Sequence, residues 1–258
     1  MSDENASVPI PKQNGDAEKE SLSIILDSNY PLLKKFRDRA SGTYKHSQNL
    51  SSMVEGVSME LVLDVPFMKA AALYHDVGKM LHPRYYTENQ VEEENPHDKI
   101  DPYVSYLIIS RHVSDTALIL MQDSNFPRKL IEIACQHHGQ SVVKYFFTKS
   151  GSEVEDTFRY KGNKPTCIEA MVLLVCDSIE ARSRAEVKKD TFDPKMIIEE
   201  TINELLEDGQ LEDVVMRLGD LQKLKSALAK ELQGTYQKRV DYAEAEKESE
   251  NGKGNKDT

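Results

Sequence analysis

The stretch "DVPFMKAAALYHDVGKM", Asp64 to Met80, reads as a helix built for burial that finishes in two polar side chains, His75 and Asp76. Asp64 is placed to cap it, and Pro66 falls in the first turn, where a missing N–H breaks no helical bond. Small and apolar residues follow. An imidazole and a carboxylate at the end of such a segment need either water or a specific partner.

Outward from this stretch the pattern stays helical. "SLSIILDSNYPLLKKF" from Ser21 repeats apolar groups at helical spacing, and "GTYKHSQNLSSMVEGVSMEL" from Gly42 is expected to start a helix with Thr43 as its cap. Asp101-Pro102 precedes "YVSYLIISRHV", and Pro127 opens "RKLIEIACQHHG", which Gly139 can close. A long helix is expected after Pro165, another after Pro194, and a last amphipathic one from about Asp220 to Gln233. Strand-like alternation is nearly absent. The expected fold class is all-α, a compact helical bundle.

The chain has 258 residues, 39% of them hydrophobic, enough for one good-sized core. Residues 1–20 are polar, carry Pro9, Pro11 and Gly15, and are expected to be disordered; residues 241–258 form an acidic tail expected to be solvated. Residues 21–240 are the expected domain. No apolar run is long enough to span a bilayer, and the N-terminus lacks the layout of a signal peptide. Cys135, Cys167 and Cys176 are odd in number and lack paired spacing, which suits reduced thiols in the cytoplasm. The formal charge is −11, with −3 in each tail, so the body is acidic too. That argues against a long nucleic acid as partner. It admits a small phosphate ligand if bound cations supply positive charge.

Of the seven histidines, five are placed with chemistry in mind. His46 lies in the first turns of one helix, and His75 with Asp76 at the end of the next. His112 lies near the end of another, His137-His138 end a fourth, and Asp177 follows "MVLLVC" in a fifth. Each alone has an ordinary explanation: a histidine at a helix end caps or faces water, and a buried aspartate accepts backbone N–H bonds. Five helices doing this together are explained more simply by a shared binuclear metal site. Neutral imidazole and ionised carboxylate suit iron, manganese or zinc. Asp76 has two oxygens and can bridge two ions, whereas His75 binds one.

The order His46, His75-Asp76, His112, His137-His138, Asp177 resembles the HD phosphohydrolase superfamily. The blocks "GTYKHS", "ALYHDVGKM", "YYTENQ", "NPHDKI", "SRHVSD", "QHHGQSVVKYFF" and "CDSIEARSRA" are similar to the PgpH-type branch, cytosolic HD domains of membrane receptors that hydrolyse cyclic di-AMP to pApA. The likeness spans residues 28–240. It implies metal ligands at His46, His75, Asp76, His112, His137, His138 and Asp177. One ion would sit on His46, His75, Asp76 and Asp177, the second on Asp76, His112, His137 and His138; how His137 and His138 divide the work stays open. Iron or manganese is the implied pair, ahead of zinc.

Two cations about 3.5–4 Å apart can hold a bridging hydroxide and aim it at phosphorus, which makes Asp76 catalytic. Lys79, one turn past His75, can face the same cleft and contact a phosphate, or simply complement the helix dipole. Tyr85, Tyr86 and Asn89 follow directly and could take a base by stacking, or pack under a loop. Arg184 lies on Asp177's side of its helix and Arg182 less so; both are phosphate candidates. His82 and His97 match no ligand position. The block "HHGQSVVKYFF" lacks the Gly-Tyr-Pro segment of the related cyclic di-GMP enzymes, which disfavours that substrate. The receptors' transmembrane bundle and sensor are absent, so the sequence leaves open whether the chain stands alone. The expected function is a metal-dependent cyclic-dinucleotide phosphodiesterase. A phosphohydrolase for another nucleotide and a non-catalytic cyclic-dinucleotide or metal sensor are the alternatives. Oligomeric state is left open.

Overall fold

A computed structural model describes residues 14–90 and 94–237. Prolines and aspartates set the starts of the helices. Pro31 opens α2 (Pro31–Arg39) after α1 (Asn14–Ile25). The Asp64 carboxylate accepts the Phe67 N–H at 3.0 Å and starts α4 (Val65–Tyr74). Asp101 accepts from Tyr103 and Val104 and starts α5 (Pro102–Ser110), and Asp193 does the same for α10 (Pro194–Glu207). Two boundaries differ from expectation. Helix α1 begins at Asn14, so residues 14–20 are helical; residues 1–13 and the 241–258 tail lie outside the described residues. Helix α3 (Ser41–Leu61) starts at Ser41 without a side-chain cap, and Thr43 points inward to another use.

The core is built around α9 (Ile168–Lys188), whose residues from Ala170 to Asp177 are all buried. A helix apolar on every side has to be central. α9 packs on α3, α4, α10 and α7 (Arg128–Ala134), while α3 lies along α4 and carries α11 (Leu218–Leu232) on another side. In α3 the buried stripe Leu50, Met53, Val54 and Val57 runs back at helical spacing to His46, so the imidazole is aimed by the same periodicity that aims the core. In α4, Ala70, Ala71 and Ala72 are fully buried, and their small size lets neighbours approach closely. A satellite cluster of Tyr106, Phe146 and Phe158 joins α5 to α8 (Lys144–Ser150). No strand forms among the described residues, only one isolated bridge between Val142 and Arg159. No described helix is long and apolar enough to cross a membrane. Cys135, Cys167 and Cys176 are free thiols.

Past Tyr74 the helix tightens into a 3₁₀ turn, Val77–Leu81, and α6 (His112–Leu120) crosses over it. The crossing requires Gly78. A Cβ there would meet the His112 carbonyl oxygen at 2.3 Å. Gly78 N–H donates to Thr116 Oγ1 at 2.9 Å, and that hydroxyl donates to the His75 carbonyl at 3.2 Å. The start of α6 is thereby stitched to the His75-Asp76 turn.

Candidate metal centre

The five histidines and two aspartates singled out above converge on one buried point. His75 is 0% and Asp76 1% exposed. The two oxygens of Asp76 face different partners. Oδ2 lies 3.2 Å from His75 Nε2 and 3.9 Å from His46 Nε2; Oδ1 lies 3.1 Å from His112 Nε2 and 3.5 Å from His137 Nε2. Asp177 closes the first side, with Oδ1 3.0 Å from His46 Nε2 and 3.7 Å from His75 Nε2. His138 stands between the sets, its Nδ1 3.9 Å from Asp177 Oδ2. Two places differ from the expected layout: His112 begins α6 instead of ending α5, and α7 stops at Ala134, so His137 and His138 lie in the turn after it.

Local backbone fixes the tautomers. The Nδ1–H groups of His75, His112 and His137 donate to the carbonyls three residues earlier, of Ala72 (2.7 Å), Ile109 (2.7 Å) and Ala134 (2.5 Å). Each Nε2 lone pair therefore points into the site. His46 Nδ1 instead donates to Glu180 at 2.7 Å, a carboxylate buried behind it. The consequence is electrostatic. His112 Nε2 and His137 Nε2 face each other at 3.1 Å with lone pairs on both sides, and Asp76 Oδ1 adds a third. His75 Nε2 and Asp76 Oδ1 are buried without a hydrogen-bond donor. Such a cluster of acceptors needs a cation or a proton at its centre. In the metal-free protein protons take the role unevenly. Burial disfavours charge on His46, but hydrogen bonds to Asp177 and Glu180 lift it to about 9. Burial opposes charge on His75 too, yet Asp76 and Asp177 lift it to about 10. His137 and His138 are pushed down by burial and by the neighbouring imidazoles. The residues present thus suit the binding of divalent metal.

The HD domain family model matches residues 43–182, which contain every one of these clustered residues. The chain belongs to the HD domain family. Over 230 residues, 88% of its length, it is 35% identical to the cyclic-di-AMP phosphodiesterase PgpH of Bacillus subtilis, and over 86% of its length 33% identical to PgpH of Listeria monocytogenes. It covers 32% and 31% of those two proteins, about a third of each. A crystal structure of the L. monocytogenes PgpH HD domain in complex with cyclic-di-AMP superposes on it with a TM-score of 0.74 at 33% identity, covering 81% of this chain and 100% of that one.

Around the HD centre the other candidates divide. Lys79 Nζ reaches Asp76 Oδ2 at 2.6 Å and Glu88 Oε1 at 3.2 Å. Burial would strip its proton, but the two carboxylates hold its pKa well above the ordinary lysine value. It is a fixed cation inside the site, not a dipole partner at the surface. Tyr86 is only 5% exposed and packs under Lys79 and beside His112, so its ring serves the scaffold. Asn89 is tied to α3: its carbonyl accepts the Thr43 N–H and its amide donates to Thr43 Oγ1. Tyr85 is half-buried against His97 and Arg84. Arg182 pairs with Glu200 and Glu204 of α10, while Arg184 lies 3.9 Å from Glu180. His82 is exposed, and His97 Nε2–H donates to the Tyr85 carbonyl, 2.9 Å away; neither joins the His/Asp cluster. Three contributors were not singled out from sequence: Glu180 behind His46, Glu88 beside Lys79, and Tyr160, whose ring stacks on His138 at 4.2 Å. Only Glu180, one turn beyond Asp177 within an apolar helix, carried a readable signal.

Proposed function

We propose that this chain is a metal-dependent phosphodiesterase that opens cyclic di-AMP to linear pApA. The observation that carries the reading is the split of the two Asp76 oxygens between His46/His75 and His112/His137. The likeness to two cyclic-di-AMP phosphodiesterases supports the substrate. We assign all seven residues, His46, His75, Asp76, His112, His137, His138 and Asp177, as ligands of two ions. The imidazole nitrogens and carboxylate oxygens suit iron, manganese or zinc, and the family resemblance favours iron or manganese. When bound, such ions neutralise phosphate charge and make water nucleophilic at neutral pH.

The rest falls to the protein's own groups. Asp76 and Glu88 pair with the buried Lys79 ammonium, while Asp177 and Glu180 pair with the His46 imidazole. Bound divalent cations would take the place of the protons on the imidazoles of the cluster and supply the positive charge that a phosphodiester needs. The Lys79 ammonium holds Asp76 Oδ2 in place and adds fixed positive charge where the phosphate arrives. Paired with both Asp76 and Glu88, it serves as fixed charge beside the phosphate. Glu180 keeps His46 in the tautomer that presents Nε2. Hydrolysis adds the water oxygen to phosphorus, breaks one P–O3′ bond, and returns a proton to the departing 3′ oxygen. Free thiols suit a cytoplasmic setting.

The test is direct. Protein reconstituted with Mn²⁺, or anaerobically with Fe²⁺, is incubated with cyclic di-AMP, cyclic di-GMP and a deoxynucleoside triphosphate, and products are separated by chromatography. Production of pApA is the expected result. Tight binding without product would make the chain a sensor, and turnover of the triphosphate alone would make it a nucleotide phosphohydrolase.

A further inference from the structure

The paired histidines are held differently. His137, like His75 and His112, donates its Nδ1–H to a carbonyl three residues back. The His138 ring makes no such bond among the described residues; its Nδ1 lies 3.9 Å from Asp177 Oδ2, and Tyr160 stacks on its face at 4.2 Å. His138 is therefore placed by the turn that carries it and by the segment that carries Tyr160.

One network grips both. Helix α10 ends at Gly209, whose φ of 66° turns the chain back, and the Gly209 and Gln210 N–H groups close on the Leu206 and Leu205 carbonyls at 3.0 and 2.9 Å. That cap drives Gln210 inward, to 0% exposure. Its Oε1 accepts the Gln140 N–H at 2.8 Å, and its Nε2 donates to Asp208 Oδ2 at 2.9 Å. Asp208 pairs with both Arg159 Nη atoms, at 2.7 and 3.0 Å, a two-pronged contact that fixes direction as well as distance. Arg159 Nη1 also donates to the Gln140 carbonyl at 2.9 Å. Both backbone groups of Gln140, two residues past His138, are thus occupied, and the residue after Arg159 is Tyr160, whose N–H bonds the Ser141 carbonyl at 3.0 Å. The fit is close: a Cβ on Gly139 would meet Gln210 Oε1 at 2.4 Å.

We propose that Gln210 is a positioning residue for His138, acting with Asp208 and Arg159 to set the imidazole against the HD centre; this rests on His138 being a metal ligand, as assigned above. Asp208 and Gln210 lie beyond residues 43–182, so the support comes from outside the segment that carries the clustered residues. The buried amide is the hub, because it alone joins the His138 turn to the Asp208–Arg159 pair that holds Tyr160 in place.

Manganese titration of chelated protein, with elemental analysis after desalting, tests this. Gln210→Met keeps the length of the side chain and removes both hydrogen bonds. Affinity for the ion on the His112, His137 and His138 side should fall about tenfold or more, the scale at which supporting contacts act on metal ligands, while the ion at His46 and His75 keeps its parental affinity. Equal losses at both ions would mean general loosening and overturn the assignment, as would parental affinity at both. Exchanging amide and carboxylate, with Asp208→Asn and Gln210→Glu together, keeps an acceptor for the Gln140 N–H and should restore the affinity; a folded double variant as weak as Gln210→Met overturns it. Residue-resolved hydrogen exchange on the metal-free parent needs no variant: the Gln140 amide should be protected, and exchange as fast as in an open loop refutes the hub. Loss of the proposal alone leaves a parent that still binds two ions; a parent that binds no manganese removes the metal-ligand reading and the proposal with it.

Discussion

Replacing Gly78 with alanine probes whether the close crossing of α6 over the HD turn assembles the centre. A methyl group at 78 would lie 2.3 Å from the His112 carbonyl oxygen and 2.6 Å from the Thr116 nitrogen, backbone atoms that cannot rotate away. Restoring an ordinary contact of 3.4 Å means parting the turn and α6 by more than about 1 Å. The two Thr116 hydrogen bonds span the same gap and lengthen with it. Overpacking of this kind costs about 1–3 kcal/mol, a fall of several degrees in Tm for a domain of this size. The effect on the site is larger than on the fold. His112 Nε2 sits 3.1 Å from Asp76 Oδ1, and metal bonds of about 2.0–2.2 Å tolerate only about 0.2 Å of error. The ion between Asp76, His112, His137 and His138 should be lost first, with affinity down about 10–100-fold or more. The ion at His46 and His75 should remain. Elemental analysis after desalting, manganese titration and thermal melts read all three effects. A Gly78→Ala protein that keeps two ions per chain at parental affinity would refute the argument, whatever its Tm.

Asp76→Ala should lose both ions and all turnover while circular dichroism stays helical; retained metal would remove Asp76 as the bridge. Glu180→Gln keeps a hydrogen bond to His46 but removes the charge behind it, so affinity at the His46 side should fall about 10–100-fold, seen as a biphasic metal titration with turnover restored at high Mn²⁺. In chelated protein, His46 and His75 have folded pKa values raised to about 9 and about 10 from an ordinary 6.5. Their contribution to stability is complete below pH 6.5 and is lost as pH climbs through 9 to 10. Melts of the chelated protein should therefore fall across that window. Metal-loaded protein should not follow, because there the cation replaces the protons; parallel curves for the two forms would contradict the shared-site account.

The helical order and the convergence of the seven candidate residues were legible because both rest on local rules. Proline and aspartate at Asp64-Pro66, Asp101-Pro102 and Asp193-Pro194 announce helix starts whatever packs around them. A polar pair closing an apolar helix announces a buried partner. What stayed illegible is tertiary. Thr43 looked like a cap because sequence shows only its neighbours along the chain; in the fold its hydroxyl donates to Glu88, 45 residues away. Glu88 itself, in a polar loop, looks like any solvated acid until Lys79 is seen between it and Asp76. Tyr86 was readable as an aromatic after the HD turn, but whether it offers a face or hides one depends on α5, whose carbonyls receive its hydroxyl. These three cases share a cause. The seven clustered residues are placed by helix periodicity, which one sequence displays, whereas Tyr86 and Glu88 are placed by how residues 82–90 fold back, which it does not.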